Sequence, residues 1–192
     1  MEKLLFITRN QNKIKEIKAI IGDKVDLIGL KDIDWTSEIP ETTGTIKGNA
    51  LQKADTVFDV VGINCFSEDT GLEVFALDGA PGVDTAIYAG EHRSNEDNMN
   101  LLLENLKGKK DRSAQFKTII ALKYNNQTHY FEGIAKGHIS EKKLGKDGFG
   151  YDPIFIPENY SLSFAQLTPK EKNQISHRAQ AVAQLIDFLK TV

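Results

Sequence analysis

The sequence is short of cysteine, proline, long apolar runs and any excess of one charge, and each shortage excludes something. Cys65 is the only cysteine among 192 residues, so neither an intrachain disulfide nor a thiolate metal cluster can form. It stands in the apolar run Ile63-Asn64-Cys65-Phe66, where a buried structural thiol is the expectation. A formal net charge of −3 gives no broad electrostatic footprint for a nucleic-acid polymer. No apolar stretch approaches the roughly 18 residues of a membrane span. The start, Met1 to Thr8, turns polar too soon for a signal peptide. These absences set the expectation of a cytoplasmic protein with no membrane partner. Five prolines, no low-complexity tract and no repeat leave no long linker. A hydrophobic fraction of 40% and a charged fraction of 27% are those of an ordinary globular chain, long enough to bury a sizeable core.

Periodicity supplies the elements. Leu4 to Ile7 reads as a buried strand, followed by a helix carrying Ile14, Ile17 and Ile21 and stopped by Gly22. Val25 to Leu30 reads as a second strand, and strand-helix-strand favours an α/β fold. A helix is predicted over Ile46 to Val61, closed by Gly62. Ile63 to Ser67 and Leu72 to Ala76 read as strands on either side of a loop, Glu68-Asp69-Thr70-Gly71, with turns at Asp78 to Gly82. Ser94 caps a helix carrying Met99, Leu102, Leu103 and Leu106. Ala114 to Tyr124 and Thr128 to Ile139 form a hairpin through Asn125-Asn126. Ser176 caps the last helix, whose stripe is Val182, Leu185, Ile186 and Leu189.

Four segments carry chemistry. Thr8-Arg9-Asn10-Gln11-Asn12-Lys13 joins the first strand to the first helix, where free backbone N–H groups and the helix dipole favour an anion. The same residues also read as a solvated basic helix start capped by Asn10. No Walker A or dinucleotide fingerprint occurs anywhere. Glu68 and Asp69 are adjacent carboxylates, suited to magnesium on a phosphate chain or to activating water, while the segment alone also reads as a surface turn. Glu41 is a further acid, after Pro40. In Gly148-Phe149-Gly150-Tyr151-Asp152-Pro153, a ring between two glycines suits base stacking, or else a tight turn with a tucked aromatic. Lys172 and Ser176-His177-Arg178 add donors near the last helix; no second His at metal-binding spacing supports zinc.

Taken in this order the segments resemble the inosine triphosphate pyrophosphatase family, enzymes that remove non-standard purine triphosphates. The resemblance runs from Thr8 to Lys13 through Ser67 to Leu72, Gly79 to Val83 and Gly148 to Phe155, and closes with Ser176 to Ala179. It implies an α/β fold with an elongated mixed β-sheet and flanking helices, residues 1–192 forming one domain of two lobes around a central substrate cleft. It also implies a homodimer, magnesium (Mg2+) as cofactor, and a small-molecule purine nucleoside triphosphate as substrate. Thr8, Arg9, Asn10, Gln11, Asn12, Lys13 and Lys172 would hold the triphosphate. Glu41, Glu68 and Asp69 would serve the metal, with Asp69 as general base and Thr70 beside it on the substrate. Phe149, Gly150, Tyr151, Asp152, His177 and Arg178 would form the base pocket. Many relatives carry acid at the places of Thr42, Lys47 and Gly48, which leaves Glu41 more isolated here. Arg9 stands where a small residue is usual.

Two rival readings stay beside this one: a non-enzymatic nucleotide sensor, which would not need the acid pair, and a pyrophosphatase for pyrimidine or modified-base triphosphates. A pure interaction domain explains none of the four segments.

Overall fold

The apolar runs and helical stripes produce a mixed α/β fold, described over residues 3–192 in a computed structural model. Met1 and Glu2, the start of the segment read for a leader, lie outside the described residues. The strands are β1 (Lys3–Ile7), β2 (Asp26–Gly29), β3 (Cys65–Val74), β4 (Pro81–Gly82), β5 (Ser113–Tyr124), β6 (Gln127–Ile139) and β7 (Phe155–Pro157). The helices are α1 (Gln11–Ile21), α2 (Ile46–Val61), α3 (Asn95–Asn105), α4 (Pro169–Ile175) and α5 (His177–Leu189). The sheet runs β2-β1-β3-β5-β6-β7, with β4 paired to β3. Among the described residues no helix is long and apolar enough to cross a membrane.

The chain divides into two compact units. One comprises the chain up to Asp69, Thr118–Gly133 and Arg178–Val192; the other comprises Thr70–Lys117 and Ile134–His177. In the first unit β1 pairs in parallel with β2 and with β3 (Leu5 opposite Ile28 and Cys65). Strand side chains alternate between faces, and this sheet is covered on both. Leu4, Phe6 and Phe66 pack with Ile17 and Ile21 of α1 and Val182 and Leu185 of α5. Leu5, Ile7 and Cys65 pack with Val57 of α2. The Phe6 and Phe66 rings stack at 4.6 Å. Burial pushes the Cys65 thiol up to about 12, so it stays a protonated, structural side chain.

In the second unit Leu72, Leu102, Phe116, Ile139, Phe155 and Phe164 belong to a separate core. The antiparallel pair of β6 and β7 places His138 opposite Ile156.

Caps fix most helix ends where the sequence puts them. Asn10 accepts from the amides of Asn12 and Lys13, Thr45 from Gly48, and Ser94 from Asp97. Gly62 closes α2 with a left-handed φ of 64°. Asn125 and Asn126 both take positive φ (47° and 62°), as a two-residue primed turn requires.

Two expectations are corrected. Glu68 to Gly71 is no loop: β3 runs unbroken through it. The residues that look like a turn are a strand whose polar side chains are buried and paired, so polarity misleads there. The last helix is also preceded by another, α4, whose capping box joins Thr168 and Glu171 around Pro169.

Candidate active site

Because β3 is a strand, its adjacent acids point to opposite faces. Odd-numbered residues face α2: the Ser67 hydroxyl donates to the Ala50 carbonyl. Asp69 lies on that same face, 3.0 Å from the ammonium of Lys53. Lys53 also pairs with Glu41, so one buried ammonium joins the two carboxylates. Helix α2 holds the Glu41 loop on this face. Gln52 accepts from the Thr42 amide at 2.8 Å and donates to its hydroxyl at 2.9 Å. Asn49 accepts from the Thr43 amide at 3.1 Å and hydroxyl at 2.9 Å.

Electrostatics distinguish the members. Burial is the largest influence on Asp69 and raises its carboxyl above the ordinary range, although Lys53 opposes the rise. Burial works to lower Lys53, but Asp69 and Glu41 outweigh it and hold the ammonium protonated. The two carboxylates converge on the Lys53 ammonium, and Lys13 also draws the Asp69 carboxyl down. That donor set fits a hard divalent ion, which needs only one or two carboxylates when phosphate oxygens and water complete the shell. Among the described residues no group of three or more His, Cys, Asp or Glu side chains is arranged to hold a metal.

Glu68 faces the other way, and the structure does not bring it to Glu41 and Asp69. It accepts from Arg178 Nε (3.1 and 3.0 Å) and Nη2 (2.9 Å), and pairs with Lys13 at 3.1 Å. Glu16 of α1 takes Arg178 Nη1. Burial would raise the Glu68 carboxyl, but Arg178 and Lys13 hold it well below the usual carboxylate range. Two acids and two bases make this quartet balanced. Arg178, the largest fully buried side chain, therefore sits in a fixed orientation.

The loop before α1 is built by its own side chains. Thr8 Oγ1 accepts from the Asn10 amide at 3.2 Å, and Asn10 caps the helix. Arg9 donates from Nη2 to the carbonyls of Thr36 (2.8 Å) and Ser37 (2.7 Å). Gln11 and Asn12 open α1 and are exposed.

The second unit holds the remaining residues. Asp152 Oδ2 accepts from the Phe149 amide at 2.9 Å and from Lys172 Nζ at 2.6 Å, both acidic and basic side chains buried. The Lys172 ammonium lies 5.2 Å from the centre of the Phe149 ring. Tyr151 donates its hydroxyl to the Thr85 carbonyl at 2.9 Å. Gly150 takes a φ of 63°, and Thr70 follows Asp69 in β3. His177 is buried and stacks on Phe116 at 4.6 Å. Lys172 thus shares the Phe149–Asp152 turn.

Sequence reading misses Lys53, Glu16, Asn49 and Gln52. Lys53 did carry a signal, since it interrupts the buried stripe Ile46, Ala50, Ala54 and Val57 of α2. Lysine is almost never fully buried unless paired. Glu16 carries none, being one charge among several on a short helix.

The chain as a whole is similar to known proteins. The sequence matches the Ham1 family over residues 4–188. The dITP/XTP pyrophosphatase of Flavobacterium johnsoniae is 52% identical over 187 residues, covering 97% of each chain. That of Porphyromonas gingivalis is 52% identical over 190 residues, covering 98% of each. Among solved structures, the Ham1 protein of Staphylococcus aureus is 37% identical with a TM-score of 0.90, covering 99% of each chain. The HAM1 protein of Coxiella burnetii is 34% identical with a TM-score of 0.92 over the full length of both. With likeness of this extent in both sequence and fold, the chain belongs to the Ham1 family.

Proposed function

We propose that the chain hydrolyses non-standard purine nucleoside triphosphates (ITP, dITP and XTP) to the monophosphate and pyrophosphate, clearing them from the nucleotide pool. The observation that carries this reading is Asp69: a buried carboxylate with a raised pKa, held by Lys53 beside Glu41. A carboxylate whose pKa is raised accepts a proton from water more readily than an ordinary one. The names borne by the relatives from Flavobacterium johnsoniae and Porphyromonas gingivalis support the same substrate class.

Asp69 takes a proton from water as the water oxygen bonds to the α-phosphorus. The bond from that phosphorus to the bridging oxygen breaks, and pyrophosphate leaves. Lys13 and the amides at the start of α1 hold the phosphate chain and stabilise its departing charge. Magnesium, when bound through Glu41 and Asp69, offsets charge on the phosphate oxygens. The Phe149 ring stacks on the purine, with Lys172 and Asp152 supporting its turn. Arg178 and His177 donate to the 6-oxo group of hypoxanthine or xanthine. Adenine offers a 6-amino donor instead, and a buried donor left facing a donor costs on the order of 1–3 kcal/mol or more. Rejection of ATP by tens- to thousandfold follows. A homodimer, which the family resemblance implies, and a cytoplasmic location complete the reading.

The test is incubation of purified protein with ITP and magnesium, with pyrophosphate and orthophosphate measured separately. Inosine monophosphate and pyrophosphate are expected; inosine diphosphate and orthophosphate, or no turnover, would sink the proposal. A panel adding dITP, XTP, ATP, GTP, dTTP and UTP separates it from a pyrimidine or modified-base enzyme.

A further inference from the structure

We infer that Glu68 is a positioning residue that orients Arg178 and Lys13 for the substrate, and that it is not a ligand of the metal. The inference rests on the proposed reaction and gives Glu68 a different task from its neighbour Asp69. Strand geometry sends the two carboxylates to opposite faces of β3. On the Asp69 face stand Lys53 and Glu41. Glu68 pairs with Lys13 and Arg178, with Glu16 also on Arg178, and the Lys13 charge reaches Asp69 as well.

Both Glu68 oxygens are engaged. Arg178 Nε lies 3.1 Å from Oε1 and 3.0 Å from Oε2, Nη2 lies 2.9 Å from Oε1, and Lys13 Nζ lies 3.1 Å from Oε1. To ligate a metal, Glu68 would have to give up part of this forked contact and loosen its hold on both Arg178 and Lys13. A planar guanidinium held by a forked carboxylate keeps both its plane and its direction. Glu16 on Nη1 completes the orientation. The same carboxylate places the ammonium of Lys13, the cation at the phosphate-binding helix start. One fully buried side chain thus aligns a donor for the base and a donor for the phosphates.

The test compares Glu68→Gln with Glu41→Gln in steady-state pyrophosphate release, recording kcat/KM for ITP and ATP and the magnesium concentration giving half-maximal rate. For Glu68→Gln the ITP-to-ATP ratio falls about tenfold or more, while half-saturating magnesium stays within about twofold of wild type. For Glu41→Gln the pattern is the reverse. Binding of α,β-imido inosine triphosphate to Glu68→Gln, measured by calorimetry at saturating magnesium, weakens about tenfold. An unchanged ITP-to-ATP ratio in Glu68→Gln, or a magnesium requirement raised as in Glu41→Gln, overturns the inference. If loss of the charge prevents folding, Glu68→Asp keeps the charge but withdraws it by one methylene, and the same two readouts decide. A wild-type protein that does not hydrolyse ITP defeats the underlying reaction instead, so the two failures are distinct.

Discussion

The ammonium of Lys53 lies 3.0 Å from the Asp69 carboxylate, and both side chains are buried. Burial raises the Asp69 carboxyl and Lys53 opposes that rise. The carboxylate form is the one that accepts a proton from water, so activity falls as pH drops through the Asp69 pKa. Replacing Lys53 by methionine removes the opposing cation and lets the pKa climb further. The acid limb of the kcat/KM profile should therefore move to higher pH in Lys53→Met. A limb that stays in place, or moves down, would show that Asp69 does not set it.

Asp69→Asn keeps the shape of the side chain and leaves a carbonyl to accept from Lys53, but it has no basic oxygen at neutral pH. General-base catalysis contributes roughly 10²–10⁴-fold, and kcat should drop by at least that much. Calorimetric binding of α,β-imido inosine triphosphate should weaken but stay measurable, because Lys13, the start of α1 and the base contacts are kept while one metal ligand is lost. Turnover close to wild type in this variant would remove Asp69 from the mechanism.

How much of this was legible in the sequence depends on the kind of signal. The bounds of α2 (Ile46–Val61) and the Ser94 and Asn10 caps follow from local chemistry, which a sequence displays. So does the Asn125-Asn126 turn. β3 was harder to read because Glu68-Asp69-Thr70-Gly71 is locally polar, and only partners distant in sequence make it a buried strand. Arg178 lies 110 residues from Glu68, and no local pattern announces that pair. The candidate residues are visible as motifs. Their division between the cations paired with Glu68 and the two acids bridged by Lys53 required the strand's alternation, and so the structure.

In the second unit Lys172 and Asp152 form a buried pair at 2.6 Å. Breaking a buried pair by removing one partner is strongly destabilising, by about 3–5 kcal/mol, because the other charge is left without compensation. Lys172→Met should lower Tm markedly, and chemical denaturation should show the loss in midpoint. A double variant, Lys172→Met with Asp152→Asn, should recover part of the stability, since neither charge of the pair then remains. If the double variant is no more stable than the single one, the ion pair is not the source of the effect.

The two glycines flanking Phe149 should differ when each is changed to alanine, although both take positive φ, 78° at Gly148 and 63° at Gly150. A left-handed backbone costs a non-glycine residue roughly 1–2 kcal/mol, and that cost is common to both. At Gly150 the added methyl would meet nothing within 4 Å, so the backbone cost stands alone. At Gly148 the methyl would overlap the Asp152 carboxylate, the same Oδ2 that accepts from the Phe149 amide and from Lys172. The carboxylate has to move, and with it go the amide contact and the support beneath the aromatic ring. Gly148→Ala should therefore lose more stability than Gly150→Ala and also raise KM for ITP, with kcat less affected because Asp69 belongs to the other unit. Steady-state kinetics and thermal unfolding of the two variants side by side make the comparison. Equal losses of Tm with unchanged KM would mean that the close approach of Gly148 to Asp152 does not support the purine.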